Sequence, residues 1–354
     1  MAGGGGTRLR PVSTSARPKP FLPLLPGGQT LLQRTVARLR GPEIGTDPDI
    51  SVVVSAAWAP LVAAQVPDVR RIIEPEGRNT AAAIALAALE PGRDPEAVMA
   101  LLPADHRIDP AREGAFRSTL ASAAAHLATG AFGIASPLVT LGVRPTRAAT
   151  EYGYLRPDTD RAASVDGLRA YPLEAFEEKP DPRRAGELVA MPGVAWNAGM
   201  FLWRRRAIVD ALERHAPEVA AGVRRGLAGD LAGAYASLPS RSIDYAVMEP
   251  AAAEGFVVMA AMEVGWSDVG TWPALLEVLG APGIDGRVIE PGDAVEAAGG
   301  DLFIERVGGV PVARDATPGM FRPDAPVALL RQAARARPLV ESLLERCAAA
   351  ESGG

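Results

Sequence analysis

The sequence is short of lysine, asparagine and cysteine. Among 37 Lys+Arg in 354 residues only Lys19 and Lys179 are lysines, and Asn79 and Asn197 are the only asparagines. The single cysteine, Cys347, has no partner for a disulfide and excludes a cysteine-based zinc site; it lies in what reads as a mobile C-terminal tail. No apolar run reaches the roughly 18 residues that a membrane-spanning helix needs, and no basic-then-apolar leader opens the chain. The net charge is -5 and the arginines are dispersed, which argues against a surface that coats nucleic acid but leaves room for a local cationic pocket. What remains is a soluble, cytoplasmic, globular chain.

Heavy use of Ala, Gly, Pro and Arg reads as a GC-rich coding bias that has displaced lysine and asparagine wherever the side chain permits. The four positions that resisted it are candidates for function. Short β-branched runs alternate with Ala/Leu-rich amphipathic stretches, the pattern of strands and crossover helices in an α/β sheet. It predicts strands at 50–55, 71–74, 98–103 and 138–143, and helices at 30–40, 79–89 and 111–127. Thr30, and Asn79 or Thr80, are the candidate N-caps of the first two helices. A hairpin at 152–157, a strand at 170–176 and helices at 207–215 and 241–249 follow. After Leu279 the texture changes to Gly/Pro-punctuated strands at 287–290, 302–306 and 310–314 and a helix at 335–347, so the expected units are 1–280 and 281–354.

The first chemical motif is Ala2-Gly3-Gly4-Gly5-Gly6-Thr7-Arg8-Leu9-Arg10-Pro11, followed by Arg17-Pro18-Lys19-Pro20-Phe21. Glycines let backbone N–H groups approach an anion closely, and Arg8 and Lys19 supply the charge that a polyphosphate needs. A glycine run alone reads equally as a flexible tail. Thr-Arg-Leu and Pro-Lys favour the phosphate reading, because a linker has no use for either.

This run resembles the signature of the sugar-1-phosphate nucleotidylyltransferases, and its Arg-Pro-Lys triplet resembles the mannose-1-phosphate guanylyltransferase branch, also called GDP-mannose pyrophosphorylase. Further matching motifs follow in family order: Glu74 to Thr80, Leu102 to His106, Glu151 to Tyr154, Phe176 to Pro180, Trp196 to Phe201, Ser242 to Glu249 and Gly265 to Gly270. They extend to residue 270, about three quarters of the chain. The resemblance implies a Rossmann-like mixed sheet flanked by helices with a small β-rich C-terminal domain. It implies a reaction in which GTP and mannose 1-phosphate give GDP-mannose and pyrophosphate, with no nucleic acid or membrane partner.

The same resemblance implies roles for individual residues. Gly3, Gly4, Gly6 and Thr7 bind the nucleotide, and Arg8 and Lys19 handle its phosphates. Arg78 and Asn79 lie where the base is read, although Asn79 reads equally as a plain helix cap. Asp105 and Asp268 hold Mg²⁺, for which few, hard oxygen ligands are suitable; a turn-capping role is the plainer reading of either. Lys179 contacts the sugar phosphate, while Gly153, Glu178 and Asn197 contact the hexose. His106 reads as a structural neighbour, because an ionised phosphate nucleophile needs no general base. Trp196, Trp266 and Trp272 read as core or pocket wall.

The chain departs from the family pattern at Pro20, where Gln is common, and at Ala198, where Ser is frequent. Family members also begin with an apolar strand before the glycine loop, so the first, central strand is expected to be missing here. Dimerisation through the β-rich tail is a further expectation. The alternatives are transfer to another hexose 1-phosphate, or a non-catalytic homologue that binds a nucleotide sugar.

Overall fold

Thr30 opens the first helix through a reciprocal cap: its Oγ1 accepts from Gln33 N at 3.3 Å while Gln33 Oε1 accepts from Thr30 N at 2.9 Å. The computed structural model describes residues 1–4, 6–44 and 49–352. The first half contains α1 (Leu31–Arg38), β1 (Ser51–Ser55), α2 (Ala59–Gln65), β2 (Arg70–Glu74), α3 (Asn79–Ala88), β3 (Val98–Leu101), α4 (Glu113–His126) and β4 (Leu138–Val143). The middle continues with β5 (Gly153–Pro157), β6 (Ala163–Val165), β7 (Leu168–Glu178), α5 (Pro182–Val189), β8 (Ala195–Arg204), α6 (Arg205–His215), α7 (Pro217–Leu227) and α8 (Leu231–Ala236). A π-helical turn at Asp244–Met248 then leads into α9 (Glu249–Ala253), β9 (Val257–Met262) and α10 (Trp272–Val278). The last region holds β10 (Gly286–Ile289), β11 (Val295–Ala297), β12 (Leu302–Val307), β13 (Val310–Asp315), β14 (Gly319–Phe321), β15 (Val327–Leu330) and α11 (Arg337–Ser352).

The expected α/β class is the observed one. A seven-stranded mixed sheet runs β3-β8-β4-β9-β7-β5, with β6 paired to β7. β4 is buried along its whole length because it lies inside this sheet, parallel to β9 and antiparallel to β8. α3 is buried at every residue from Ala81 to Ala88, which suits a helix packed between the sheet and α6 and α7. In β8, Trp203 stacks on Phe201 at 5.4 Å, and neither is more than 2% exposed. The C-terminal strands form a four-stranded antiparallel sheet and a two-stranded one, and α11 packs on the larger sheet.

Three local expectations differ from the structure. Arg78, not Asn79 or Thr80, stands at the N-cap position of α3, and its side chain makes no capping bond; Asn79 takes a left-handed φ of 64°, and its Oδ1 accepts from Thr80 N at 2.8 Å. The helix expected at 241–249 is a π turn that only then becomes α-helical. Cys347 is fully buried within α11 rather than in a mobile tail, because α11 packs its apolar face against Leu24, Leu302 and Leu330.

β1 and β2 form a separate two-stranded parallel sheet. Between it and the larger sheet lies the start of the chain: Ala2 N donates to Val53 O at 2.9 Å, Met1 N to Leu102 O at 2.7 Å, and Ala104 N to Met1 O at 2.9 Å. Among the described residues no strand pairs with both β1 and β3.

Candidate active site

Two strands of the large sheet each deliver an aspartate just beyond their carboxyl ends, where open α/β sheets present ligands. Asp105 follows β3 and Asp268 follows β9. Their loops are tied together, because Arg107 N donates to Ser267 O at 2.8 Å and Ser267 N donates to Arg107 O at 3.1 Å. Lys19, almost wholly buried, spans both: its Nζ donates to Asp105 Oδ2 at 2.8 Å and to Asp268 O.

The glycine loop faces this pair. Gly3, Gly4, Gly6, Thr7 and Arg8 line a cavity of about 290 Å³ together with Lys19, Asp105, His106, Asp268 and Gly270. Gly5 lies outside the described residues. Gly6 is required where it stands: its φ is 56°, and a Cβ there would lie 3.2 Å from the Lys19 backbone. The sequence motif is therefore a loop wrapped against its own lysine.

Burial alone would raise the Asp105 carboxyl, but the charge and the hydrogen bond of Lys19 hold it below the usual carboxylate range. Burial lowers His106, whose Nδ1 accepts a hydrogen bond from Trp266 Nε1 at 3.2 Å. That bond directs the neutral ring's proton to Nε2, which sits 3.8 Å from Asp105 Oδ1. His106 thus lies beside the aspartate, with Trp266 packed edge-on against its ring.

A second group forms on β5, β7 and β8. Gly153 pairs with Glu178 in the β5–β7 ladder, and a Cβ at 153 would collide with Glu178 Oε2. Glu178 Oε1 accepts from Lys179 Nζ, and Glu178 N donates to Glu249 Oε1 at 2.8 Å. Asn197 is nearly buried; its Oδ1 accepts from Thr140 Oγ1 at 2.9 Å and its Nδ2 donates to Asp244 Oδ1 at 2.9 Å. Burial, and then the negative charge of Glu178, push Asp244 up to about 6. Burial lowers Lys179, but its bond to Glu178 outweighs this and holds the ammonium above its ordinary value.

Tyr152 joins the two groups. Its OH donates to Asp268 Oδ1 at 2.7 Å, while its backbone O accepts from Lys179 N at 3.2 Å. Of the residues predicted from sequence, the structure gathers Gly3, Gly4, Gly6, Thr7, Arg8, Lys19, Asp105 and Asp268 around one cavity, and Gly153, Glu178, Lys179 and Asn197 around another cluster. Arg78 and Asn79 join neither. The Arg78 guanidinium donates to Glu76 Oε1 at 2.9 Å and to Ala236 O at 2.6 Å, and Asn79 bonds its own helix. Tyr152 and Asp244 were quoted within motifs but given no role. Nothing in the spacing pairs Tyr152 with a residue 116 positions away.

The chain belongs to the nucleotidyl transferase family, whose model matches residues 1–281. Among its relatives, the mannose-1-phosphate guanylyltransferase ManC of Salmonella typhimurium is 38% identical over 295 residues, covering 78% of this chain and 58% of that protein. A mannose-1-phosphate guanylyltransferase of Escherichia coli K12 is 37% identical over 297 residues, with the same coverage of 78% and 58%. The chain thus spans less than two thirds of the length of these relatives. The crystal structure of a Thermus thermophilus protein, described as a mannose-1-phosphate geranyltransferase, superposes with a TM-score of 0.70 at 30% identity over 97% of both chains.

Proposed function

We propose that this chain transfers the guanylyl group of GTP to mannose 1-phosphate, releasing pyrophosphate and forming GDP-mannose. One observation carries the proposal: a glycine loop, Arg8, Lys19 and two aspartates face a single cavity, and Tyr152 couples that cavity to the Glu178–Lys179–Asn197 cluster. In this reading an oxygen of the sugar phosphate attacks the α-phosphorus, the bond to the bridging oxygen of the β-phosphate breaks, and pyrophosphate leaves. The nucleophile is already ionised, so the protein's task is to position two polyanions and offset their charge.

Backbone N–H groups of the glycine loop, with Arg8 and Lys19, orient the triphosphate. Lys179 meets the sugar phosphate, and Glu178, Asn197 and the Gly153 backbone hold the hexose. Lys19 is 7% exposed and Lys179 is 53% exposed, so the first is a fixed charge and the second a reaching one. We assign the base to Arg78 and Asn79, which would exchange their internal bonds for bonds to guanine. Residues 281–354 serve as a brace for the unit formed by 1–280: Arg306 Nη1 donates to Pro11 O at 3.1 Å, and Arg346 Nη2 to Leu24 O at 3.3 Å.

The donor set at the cavity is suited to Mg²⁺. Among the described residues no three metal-binding side chains converge, and two carboxylates suit an ion that completes its shell with water and phosphate. Asp105 and Asp268 would hold it, and it would supply charge neutralisation at the phosphates. A panel of nucleoside triphosphates against hexose 1-phosphates, read by pyrophosphate release, tests the assignment. GTP with mannose 1-phosphate is expected to give the highest kcat/KM. A clear preference for another pair, or GDP-mannose binding with no turnover, overturns it.

A further inference from the structure

β4 reads LVTLGV and is buried along its length, yet Thr140 stands in the middle of it with no exposed surface. Valine has nearly the same shape, so a buried hydroxyl belongs in such a strand only where a partner takes its bond. Among the described residues that partner is Asn197 alone: Thr140 Oγ1 donates to Asn197 Oδ1 at 2.9 Å. The ladder is offset to allow the contact. Thr140 pairs with Phe201 and Gly142 with Asn197, so β8 uses two more residues than β4 between these pairs, and a bulge of this kind re-aims the side chains beside it. Gly199 lies in the bulge with a φ of 64°, and its N donates to the same Asn197 Oδ1 at 3.0 Å. A Cβ on Gly199 would stand 3.9 Å from His106 Cε1, so the bulge borders the loop that carries Asp105.

The other side of the amide meets Asp244: Asn197 Nδ2 donates to Asp244 Oδ1 at 2.9 Å. Asp244 opens the π-helical turn and belongs to the stretch from Ser242 to Glu249, to which no role has been given. Burial and the charge of Glu178 both oppose its ionised form, so packing alone would favour a neutral side chain here. Together the three bonds fix which way the amide faces. Its oxygen accepts from two donors and its nitrogen meets an acceptor, and a half-turn would set Nδ2 against the Gly199 N–H and Oδ1 against a carboxylate oxygen. One N–H of Asn197 has no partner among the described residues.

We propose that Thr140 and Asp244 are positioning residues that lock the Asn197 amide, so that its one unpaired N–H donates to a hydroxyl of the bound hexose. This role rests on the placement of the hexose at Asn197 proposed above, and it adds the groups that make the contact directional. Neither residue touches the sugar in this arrangement. An amide free to turn would offer the hexose an oxygen or an N–H by turns, whereas a locked one offers only a donor and loses no rotational freedom when the sugar arrives. A sugar that lacks an oxygen at that place leaves the N–H unpaired and is bound more weakly.

The test has two readouts. GDP-mannose, which carries a hexose, and GTP, which does not, are titrated calorimetrically into the parent chain and into Thr140→Val, Thr140→Ser and Asp244→Ala. Thr140→Val, which keeps the shape of the side chain, and Asp244→Ala are each expected to weaken GDP-mannose binding by about five- to tenfold, the value of one such bond. GTP binding should stay as in the parent, and Thr140→Ser should bind GDP-mannose like the parent. Equal weakening of both ligands, or GDP-mannose binding that neither variant weakens, overturns the lock. A parent chain that binds no GDP-mannose at about 1 mM overturns the proposed function and this role with it, so the two failures are told apart before any variant is made. The second readout needs no ligand. Asn79 and Asn197 are the only asparagines, so labelling asparagine with ¹⁵N isolates the Asn197 side-chain amide. One of its protons should exchange about tenfold more slowly than those of Asn79, and Asp244→Ala should abolish that protection. Protection that is missing in the parent, or that survives Asp244→Ala, overturns the lock.

Discussion

The glycine-loop cavity and the Glu178–Lys179–Asn197 cluster handle their charges in opposite ways. The first is assembled from distant segments, residues 3–19, 105 and 268, and its charges are already paired, with Lys19 bonded to Asp105. The second is built on adjacent strands of one sheet and crowds carboxylates, with Asp244, Glu178 and Glu249 linked through Asn197, Lys179 and the Glu178 backbone. In the first, opposite charges lower a buried carboxyl; in the second, burial and a like charge raise one. The difference suits the proposed function, in which the first would receive a highly charged triphosphate and gain from fixed cations, and the second would receive hydroxyls and gain from carboxylate and amide acceptors.

The contrast predicts an order of effects. Asp105→Ala removes the acceptor that anchors Lys19 and should reduce pyrophosphate release by about 10³-fold or more; a fall of less than tenfold would remove the phosphate-side cavity from the chemistry. Next is the pH response. Asp244 is raised to about 6 against an ordinary 3.8, so its contribution is fully present below about pH 4 and is lost as pH rises through about 6. At 1.36 kcal/mol per unit this amounts to about 3 kcal/mol. Urea unfolding at pH 4 and pH 7.5 should show that Asp244→Asn flattens the dependence by that order, and an unchanged slope would break the comparison.

The two lysines sharpen it further. Lys19→Arg places a broad fork where a buried ammonium fits, and should cost about 10²-fold in kcat/KM. Lys179→Arg, at an exposed position, should cost about tenfold or less, and equal losses would show that burial does not distinguish the two sites. An effect of similar size is expected at the link between them. Tyr152→Phe removes the hydrogen bond to Asp268 and should lower kcat/KM about tenfold, the value of one such bond. Its effect should vanish in an Asp268→Ala background, where no acceptor is left, if the bond is its only role.

Much of the glycine-loop cavity was legible in the sequence because a loop is written contiguously: Gly3 to Arg8 and Lys19 stand within one short stretch. The strands before Asp105 and from Leu138 were equally plain, since both are short apolar runs. β8 and β9 were not, although both lie in the middle of the sheet. β8 reads AWNAGMFLWR and mixes small, polar and aromatic residues, because it is antiparallel on both sides and carries Asn197 on a strand that is otherwise core. The Asn79 cap failed for a related reason. A left-handed φ moves its side chain onto Thr80, a backbone choice that composition does not record. Asp244 owes its perturbation to neighbours from other strands, which no local window contains.

The C-terminal helix reaches back to the opening of the chain. Arg346 donates to Pro23 O at 3.4 Å and Leu24 O at 3.3 Å, and Leu343, Leu344 and Cys347 share one apolar cluster with Leu9, Val12 and Leu22. During synthesis the glycine loop emerges long before the residues that brace it. Domains tend to fold as units while the chain grows, so the large sheet can form with its phosphate loop still unbraced. The loop acquires its final support only once α11 has left the ribosome, and a nascent chain stalled before that point should hold a folded sheet without a finished site.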